Sequence, residues 1–396
     1  MVATLSRRLV VKRSTDRIRT MHAGSLPRPA DVRELVAAKA AGDPYDEQSL
    51  ASRLDGAVAE IVRQQIDCGI DSINDGELSK TNFTNYANER LGGVELRTFG
   101  PGEGPEPQQI SGRDRLVFSE YFENPKGFVV GRPRDKQLFC VGPLTYAGRD
   151  QLQADLQRFK AACADIGDEE PFLPSIAPGS IEHWLWNEHY PTQEEFVYAI
   201  ADAMHEEYKA ITDAGLVLQI DDPDLFDAWQ IHTDFTVPEY RKFAEMRIDA
   251  LNHALRDIPR EQTRLHVCWG SYHGPHQFDI PLVHVVDLFL KVKAHAYSIE
   301  ASNPRHEHEW AVWKDVELPE GAILIPGVVG HSSDFVEHPD LVAERLLRYA
   351  DIVGRENLMA GTDCGLGTRV GHPSICWAKF RSLSEGARIA SARLWA

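Results

Sequence analysis

One feature limits the fold of this chain more than any other. Short apolar runs alternate with longer stretches whose apolar residues recur every three or four positions. The short runs fall at 19–23, 70–74, 137–141, 172–176, 216–220, 265–269, 296–300, 323–328 and 357–361. Helical periodicity marks 50–68, 192–214, 238–256, 282–293 and 339–354. Within 55–68, Val58, Ile61, Val62 and Ile66 share one helical face, and Cys68-Gly69 supplies a stop. Ala214-Gly215 ends the next long helix in the same way, directly before a strand. Strands that alternate with helices build a parallel sheet with crossover helices. The chain is therefore expected to be α/β, a single (β/α)8 TIM barrel. Nine candidate strands are one more than a closed barrel needs, so one should lie outside it. The stretch 91–135, rich in Gly, Pro and charge, reads as an inserted hairpin or loop region that covers one end of the barrel. Residues 1–396 are read as one domain carrying this insertion.

Charge narrows the partners. Lys and Arg number 42 and Asp and Glu 60, a net charge of −18, which argues against nucleic acid and against anionic membranes. No run reaches the roughly 18 apolar residues that span a bilayer. The basic opening has an apolar stretch, 9–11, too short for a signal peptide. A cytoplasmic protein with small-molecule partners is expected; oligomeric state is not legible. The six cysteines, Cys68, Cys140, Cys163, Cys268, Cys364 and Cys376, are too scattered for a disulfide framework. The question they pose is whether any carries metal or chemistry.

In a parallel barrel, active sites are built at the C-terminal ends of the strands. Unusual polar residues fall there. His266 and Cys268 end one strand and, two apart, point the same way. Glu300 ends another, and Cys364 follows the last. Two thiols, an imidazole and a carboxylate on one rim suit tetrahedral zinc. A lone His-x-Cys at a strand end is more often structural than a metal site, and these ligands are too far apart for a zinc-finger pattern. On spacing alone, metal and packing stand at even odds. The loop histidines His273, His276, His306 and His308 lie beside these motifs and offer a second metal site only as a remote alternative.

His266-x-Cys268, Glu300 and Asp363-Cys364-Gly365-Leu366-x-Thr368-Arg369 resemble the zinc site of cobalamin-independent methionine synthase. Further segments resemble the family in the same order: Gly24-Ser25-Leu26-Pro27-Arg28, Asp75-Gly76-Glu77, Gln219-Ile220-Asp221-Asp222-Pro223 and Pro326-Gly327-Val328-Val329-Gly330-His331-Ser332. The resemblance spans about 19–369 and implies that segment 139–145 is a strand outside the barrel, paired with the insertion. The second, N-terminal barrel of the full-length synthase has no counterpart in these residues. The segment 268–276 and Asn303-Pro304-Arg305-His306-Glu307-His308-Glu309-Trp310 look more like the short single-barrel branch that includes epoxyalkane:coenzyme M transferase.

The resemblance implies Zn2+ on His266, Cys268, Glu300 and Cys364, with Glu300 as the ligand that yields when a thiol arrives. It implies that Ser25, Glu77 and Asp221 hold the amino-acid end of homocysteine, and it makes His331 the candidate general acid. Two carboxylates beside a thiol site favour an ammonium group over a sulfonate. The expected function is zinc-dependent methyl transfer to a thiol, with methyltetrahydrofolate as a candidate donor. Two alternatives stand: an alkyltransferase or lyase for another thiol, such as epoxide opening by coenzyme M, and a non-enzymatic binding barrel with structural zinc.

Overall fold

The short apolar runs become the staves of a ring. The computed structural model describes residues 10–41, 43–83, 85–100, 103, 112–123, 136–367 and 369–396. The first nine residues of the basic opening, Thr368 of the last motif, and residues 101–102, 104–111 and 124–135 of the insertion lie outside the described residues. The strands are β1 (Arg19–Thr20), β2 (Ser72–Ile73), β3 (Leu91–Thr98), β4 (Lys136–Tyr146), β5 (Glu170–Ile176), β6 (Trp186–Asn187), β7 (Val217–Asp221), β8 (Thr263–Val267), β9 (Ala296–Ile299), β10 (Ile323–Val329) and β11 (Met359–Thr362). Eight of them form one parallel sheet in the order β1-β11-β10-β9-β8-β7-β5-β2. A parallel bridge between Met21 and Ser72 closes it. This is a (β/α)8 barrel.

β5 and β7 through β11 are buried at every position. Strands covered on both faces must read as continuous apolar runs, which is why the sequence marks them. Met21, Phe172, Val217, Ala296, Ile323, Ile325 and Met359 cluster inside the ring near the strand starts. Packed there, they make the barrel a core rather than a pore. The strand ends that lead to His266, Glu300 and Cys364 lie at the opposite end.

Long helices wrap the ring: Glu47–Asp67, Arg149–Ala162, Gln193–Asp213, Val237–Ala254, Pro339–Val353 and Pro373–Leu394. The predicted helix over 192–214 is bounded by its caps. The Thr192 side chain accepts from the Glu195 N–H at 3.1 Å, and Gly215 (φ +84°) turns the chain into β7. The expected helix over 282–293 is instead a 3-10 turn, Leu282–His284, and a single α-turn, Val286–Phe289. Val285 breaks it at φ −135°, and the β-branched Val283, Val285 and Val286 are poor helix formers. Among the described residues, no helix is long and apolar enough to cross a membrane.

The ninth predicted strand, 137–141, lies in β4, outside the barrel. β4 pairs antiparallel with β3 and parallel with β6 in a separate three-stranded sheet. This hairpin is anchored on the helix Gln193–Asp213 through Glu207, which accepts from Arg90 at 3.1 Å and from the Tyr146 hydroxyl at 2.5 Å. Between β3 and β4, the short helices Gly112–Val117 and Ser119–Glu123 reach the rim. Asp114 accepts from the Tyr272 hydroxyl at 2.8 Å, and the Tyr121 hydroxyl donates to the His273 carbonyl at 2.6 Å.

One ion pair is sealed inside the ring. Arg264 of β8 is fully buried against Phe172, 3.4 Å from Glu170, and donates to Gln219 at 2.8 Å. Burial pushes this guanidinium down to about 10. Glu170→Ala strands the cation, so a loss of about 3–5 kcal/mol is expected in urea unfolding. A loss below 1 kcal/mol would mean that the arginine finds another partner.

Candidate metal centre

β8 delivers His266 between Asp221 of β7 and Ser298 of β9, its partners in the sheet register. The Ser298 hydroxyl holds His266 Nδ1 at 3.0 Å, and Nε2 is buried without a hydrogen-bond partner among the described residues. Cys268 follows two residues later. The backbone then turns through Gly270 (φ +84°), where a Cβ would fall 2.8 Å from the Asp227 carboxylate. Cys364 enters from the turn after β11, with its Sγ 2.9 Å from the Ser271 hydroxyl. The ligand atoms of His266, Cys268 and Cys364 all lie within 4.8 Å of one another.

The two sulfurs are pushed in opposite directions. A hydrogen bond with Cys268, helped by His266 and by the nearby His331, holds Cys364 well below the usual thiol range, and the same bond raises Cys268. Burial pulls the His266 imidazole down, but Cys364, Asp221 and Glu300 outweigh it and its pKa is raised. Two cysteine sulfurs and a buried imidazole nitrogen without a partner among the described residues are the donor set that zinc takes, and Ser298 fixes the ring as an outer hydrogen bond does for a ligating histidine. The residues fit the metal.

Glu300 stands just outside this triad. Its Oε2 accepts from the Trp269 N–H and its Oε1 from the Asn303 amide, both at 3.0 Å. It forms an adjoining trio with His331 and Asp363, again within 4.8 Å. Asp363 accepts from the Ala301 and Ser302 N–H groups at 2.8 and 2.9 Å and from the Ser302 hydroxyl at 2.6 Å. His331 is 1% exposed, and neither ring nitrogen has a hydrogen-bond partner among the described residues. Burial lowers its pKa.

The other expected residues gather beside the triad. A Cβ on Gly24 would sit 2.5 Å from Glu77 Oε1 and 4.0 Å from Asp221 Oδ2, so both carboxylates face the turn that carries Ser25. Ser25 in turn packs against Gly365, next to Cys364. Glu77 is held at φ +56°, a conformation that non-glycine residues seldom adopt and that clusters at functional sites. Burial raises the pKa of Glu77 and pushes Asp221 up to about 7. Lys80, which the sequence reading passed over, is buried 3.9 Å from Glu77. Ser298 and Asp363 were also passed over as site residues. Ser298 was findable, because it lies two positions before Glu300 on the same strand face.

The loop histidines divide. His308 is exposed. His276 and His306 are bonded at both ring nitrogens, to Asp279 and the Tyr272 carbonyl and to Asp279 and Glu309, which leaves no lone pair for a second metal.

A (β/α)8 barrel with two cysteines and a histidine converging on its strand-end rim defines a class, the barrel proteins with a candidate thiolate metal site. Residues 162–381 match the family described as the catalytic domain of cobalamin-independent synthase, and the chain belongs to that family. The match takes in Asp221, the triad, Glu300 and His331, while Ser25 and Glu77 precede it. The chain is similar to a methionine synthase of Sulfolobus acidocaldarius, 24% identical over 87% of this chain and 84% of that one. It is similar also to one of Thermococcus kodakarensis, 24% identical over 92% of this chain and 91% of that one. Among solved structures, a B12-independent methionine synthase from a Shewanella species, in complex with selenomethionine, superposes with a TM-score of 0.69 at 20% identity. That match covers 96% of this chain and 99% of that one.

Proposed function

We propose that this enzyme transfers a methyl group to the sulfur of homocysteine, with zinc held by His266, Cys268, Cys364 and Glu300. The observation that carries the reading is the triad within 4.8 Å, with His266 Nε2 left without a partner among the described residues. Membership in a family described as a catalytic domain favours turnover over a structural metal in a binding barrel. Zinc bound there supplies a Lewis acid that keeps a substrate thiol ionised near neutral pH. The chain does the rest. Ser298 orients His266. Trp269 and Asn303 give Glu300 partners of its own, so it can leave the metal without becoming an unpaired buried charge. Ser25, Glu77 and Asp221 hold the amino-acid end. His331 stands beside the site with both nitrogens unpartnered among the described residues; because burial lowers its pKa, it would relay a proton to the departing group rather than carry a resident one. A methyltetrahydrofolate is the donor proposed, and residues 1–396 are read as one catalytic unit. Calorimetric titration of homocysteine and of coenzyme M into the zinc-loaded protein tests the thiol. Tighter binding of coenzyme M would overturn the choice of an amino-bearing substrate.

Asp221 carries a separate expectation. Its pKa is raised in the fold, so the stability contributed by its protonated form is complete below about pH 4 and is lost as pH rises through about 7. Asp221→Asn mimics the protonated form and can still accept from Gln219. In metal-free protein the variant should be more stable by about 2–4 kcal/mol at pH 8, with the gain vanishing near pH 4. Homocysteine binding should meanwhile weaken by about 1.5–3 kcal/mol, the cost of losing a charged contact. Urea unfolding at two pH values, with titration calorimetry, checks both. Unchanged affinity would remove Asp221 from the substrate site.

A further inference from the structure

Behind the metal rim lies a buried group of four charged side chains that the proposed chemistry does not use. Asp279 Oδ2 accepts from His276 Nδ1 at 2.7 Å and from His306 Nε2 at 3.0 Å. His306 Nδ1 donates to Glu309 Oε2 at 2.9 Å, and His276 Nε2 to the Tyr272 carbonyl at 3.0 Å. Each imidazole thus faces an acceptor at both nitrogens, so both rings are doubly protonated. Their pKa values, lowered by burial but raised more by the carboxylates, sit at about 9. Two cations and two anions make a neutral set. The outer oxygens are also bonded: Asp279 Oδ1 accepts from Gln230 at 2.7 Å and Glu309 Oε1 from the Leu282 N–H at 2.8 Å.

The group joins two rim loops. His276 and Asp279 belong to the loop after β8, and His306 and Glu309 to the segment after β9. Those loops carry the two halves of the Glu300 cradle. The His306 ring lies flat on Trp269, 3.7 Å between centroids and 13° from parallel. The Trp269 N–H is the donor to Glu300 Oε2. Asn303, the donor to Oε1, accepts the His306 N–H at its carbonyl at 2.8 Å. Tyr272 stacks on His276 at 4.1 Å and reaches Asp114, so the same bracket runs on into the insertion.

We propose that the His276–Asp279–His306–Glu309 group clamps these two loops together and so positions Glu300 at the edge of the metal. These are positioning residues; none touches substrate. The inference rests on the reading of Glu300 as a zinc ligand, and its test separates the two. In the zinc-loaded protein, His306→Ala should speed zinc release to a chromophoric chelator by about 10–100-fold, as loss of such a support typically does. In a Glu300→Gln background the same change should add less than about twofold, because the carboxylate it positions is gone. Equal acceleration in both backgrounds overturns the proposal, since general loosening would act whether or not Glu300 is present. Equal release from wild type and Glu300→Gln would defeat Glu300 as a ligand. Amide exchange in metal-free protein then tests the clamp alone: His306→Ala should deprotect the Trp269 N–H while Leu218 in β7 stays protected. Unchanged Trp269 protection overturns the clamp. If His306→Ala does not fold, Glu309→Gln keeps the side-chain volume and is read the same way.

Discussion

Cys268→Ser and Cys364→Ser should each lose nearly all bound zinc and, with it, all turnover. A serine hydroxyl does not ionise near neutral pH, so each change removes a thiolate donor rather than weakening one. Zinc held by such donors contributes on the order of 10 kcal/mol, and removing one of two sulfurs from a buried site forfeits much of it. Folding is not at stake. Cys268 is 2% exposed and Cys364 only partly buried, and serine fits either position. Metal analysis after dialysis, beside thermal melting of the metal-free forms, separates the effects. Cys68→Ser and Cys376→Ser, at buried positions on the helical side of the barrel, serve as controls that should keep their zinc. Full zinc retention in both rim variants would sink the ligand assignment.

His331→Asn should lower kcat by roughly 10²–10⁴-fold with zinc content unchanged. The reason is positional. His331 is buried at the end of β10, and among the described residues both ring nitrogens lack partners, so it makes no hydrogen bond there that holds the fold. Asparagine keeps polarity and removes the proton shuttle. With methyl iodide or a sulfonium donor the leaving group needs no proton, and the loss should shrink towards tenfold or less. Single-turnover rates with a poor and a good leaving group make the comparison. Equal losses with both would show that His331 shapes the pocket instead.

The barrel was legible because its chemistry is repetitive. Staves such as β7 and β10 are buried on both faces and appear as unbroken apolar runs. β3 was not marked as a strand: Leu91–Thr98 carries Gly92, Gly93, Glu95 and Arg97, and much of it faces solvent. The span 282–293 misled because most of its apolar residues, such as Leu282, Val285, Val286, Leu288 and Phe289, are buried from two short turns rather than from one continuous helix. At the site, period-two spacing pointed to His266 with Cys268, strand-end position added Glu300 and Cys364, and colinear family motifs added Ser25, Glu77 and Asp221 as candidates. Spacing did not reveal how Glu300 is held, because its donor at Trp269 is a backbone N–H that any residue would provide. His276-x-x-Asp279 and His306-x-x-Glu309 each fit a local pairing. The bond from His306 across to Asp279 joins segments that only the folded barrel brings together.

The ring is not equally stitched all round. β1 and β2 are two residues each, and a single bridge from Met21 to Ser72 joins them, whereas β5 and β7 share five paired positions. Side chains close the rest of the seam: the Thr20 N–H donates to Asp71 Oδ2 at 2.8 Å and the Asn74 amide to the Gly24 carbonyl at 3.1 Å. Ser25 follows one lip of the seam and Glu77 the other. An amino acid grasped by both would lace the cylinder shut, so substrate occupancy and the integrity of the wall become one equilibrium.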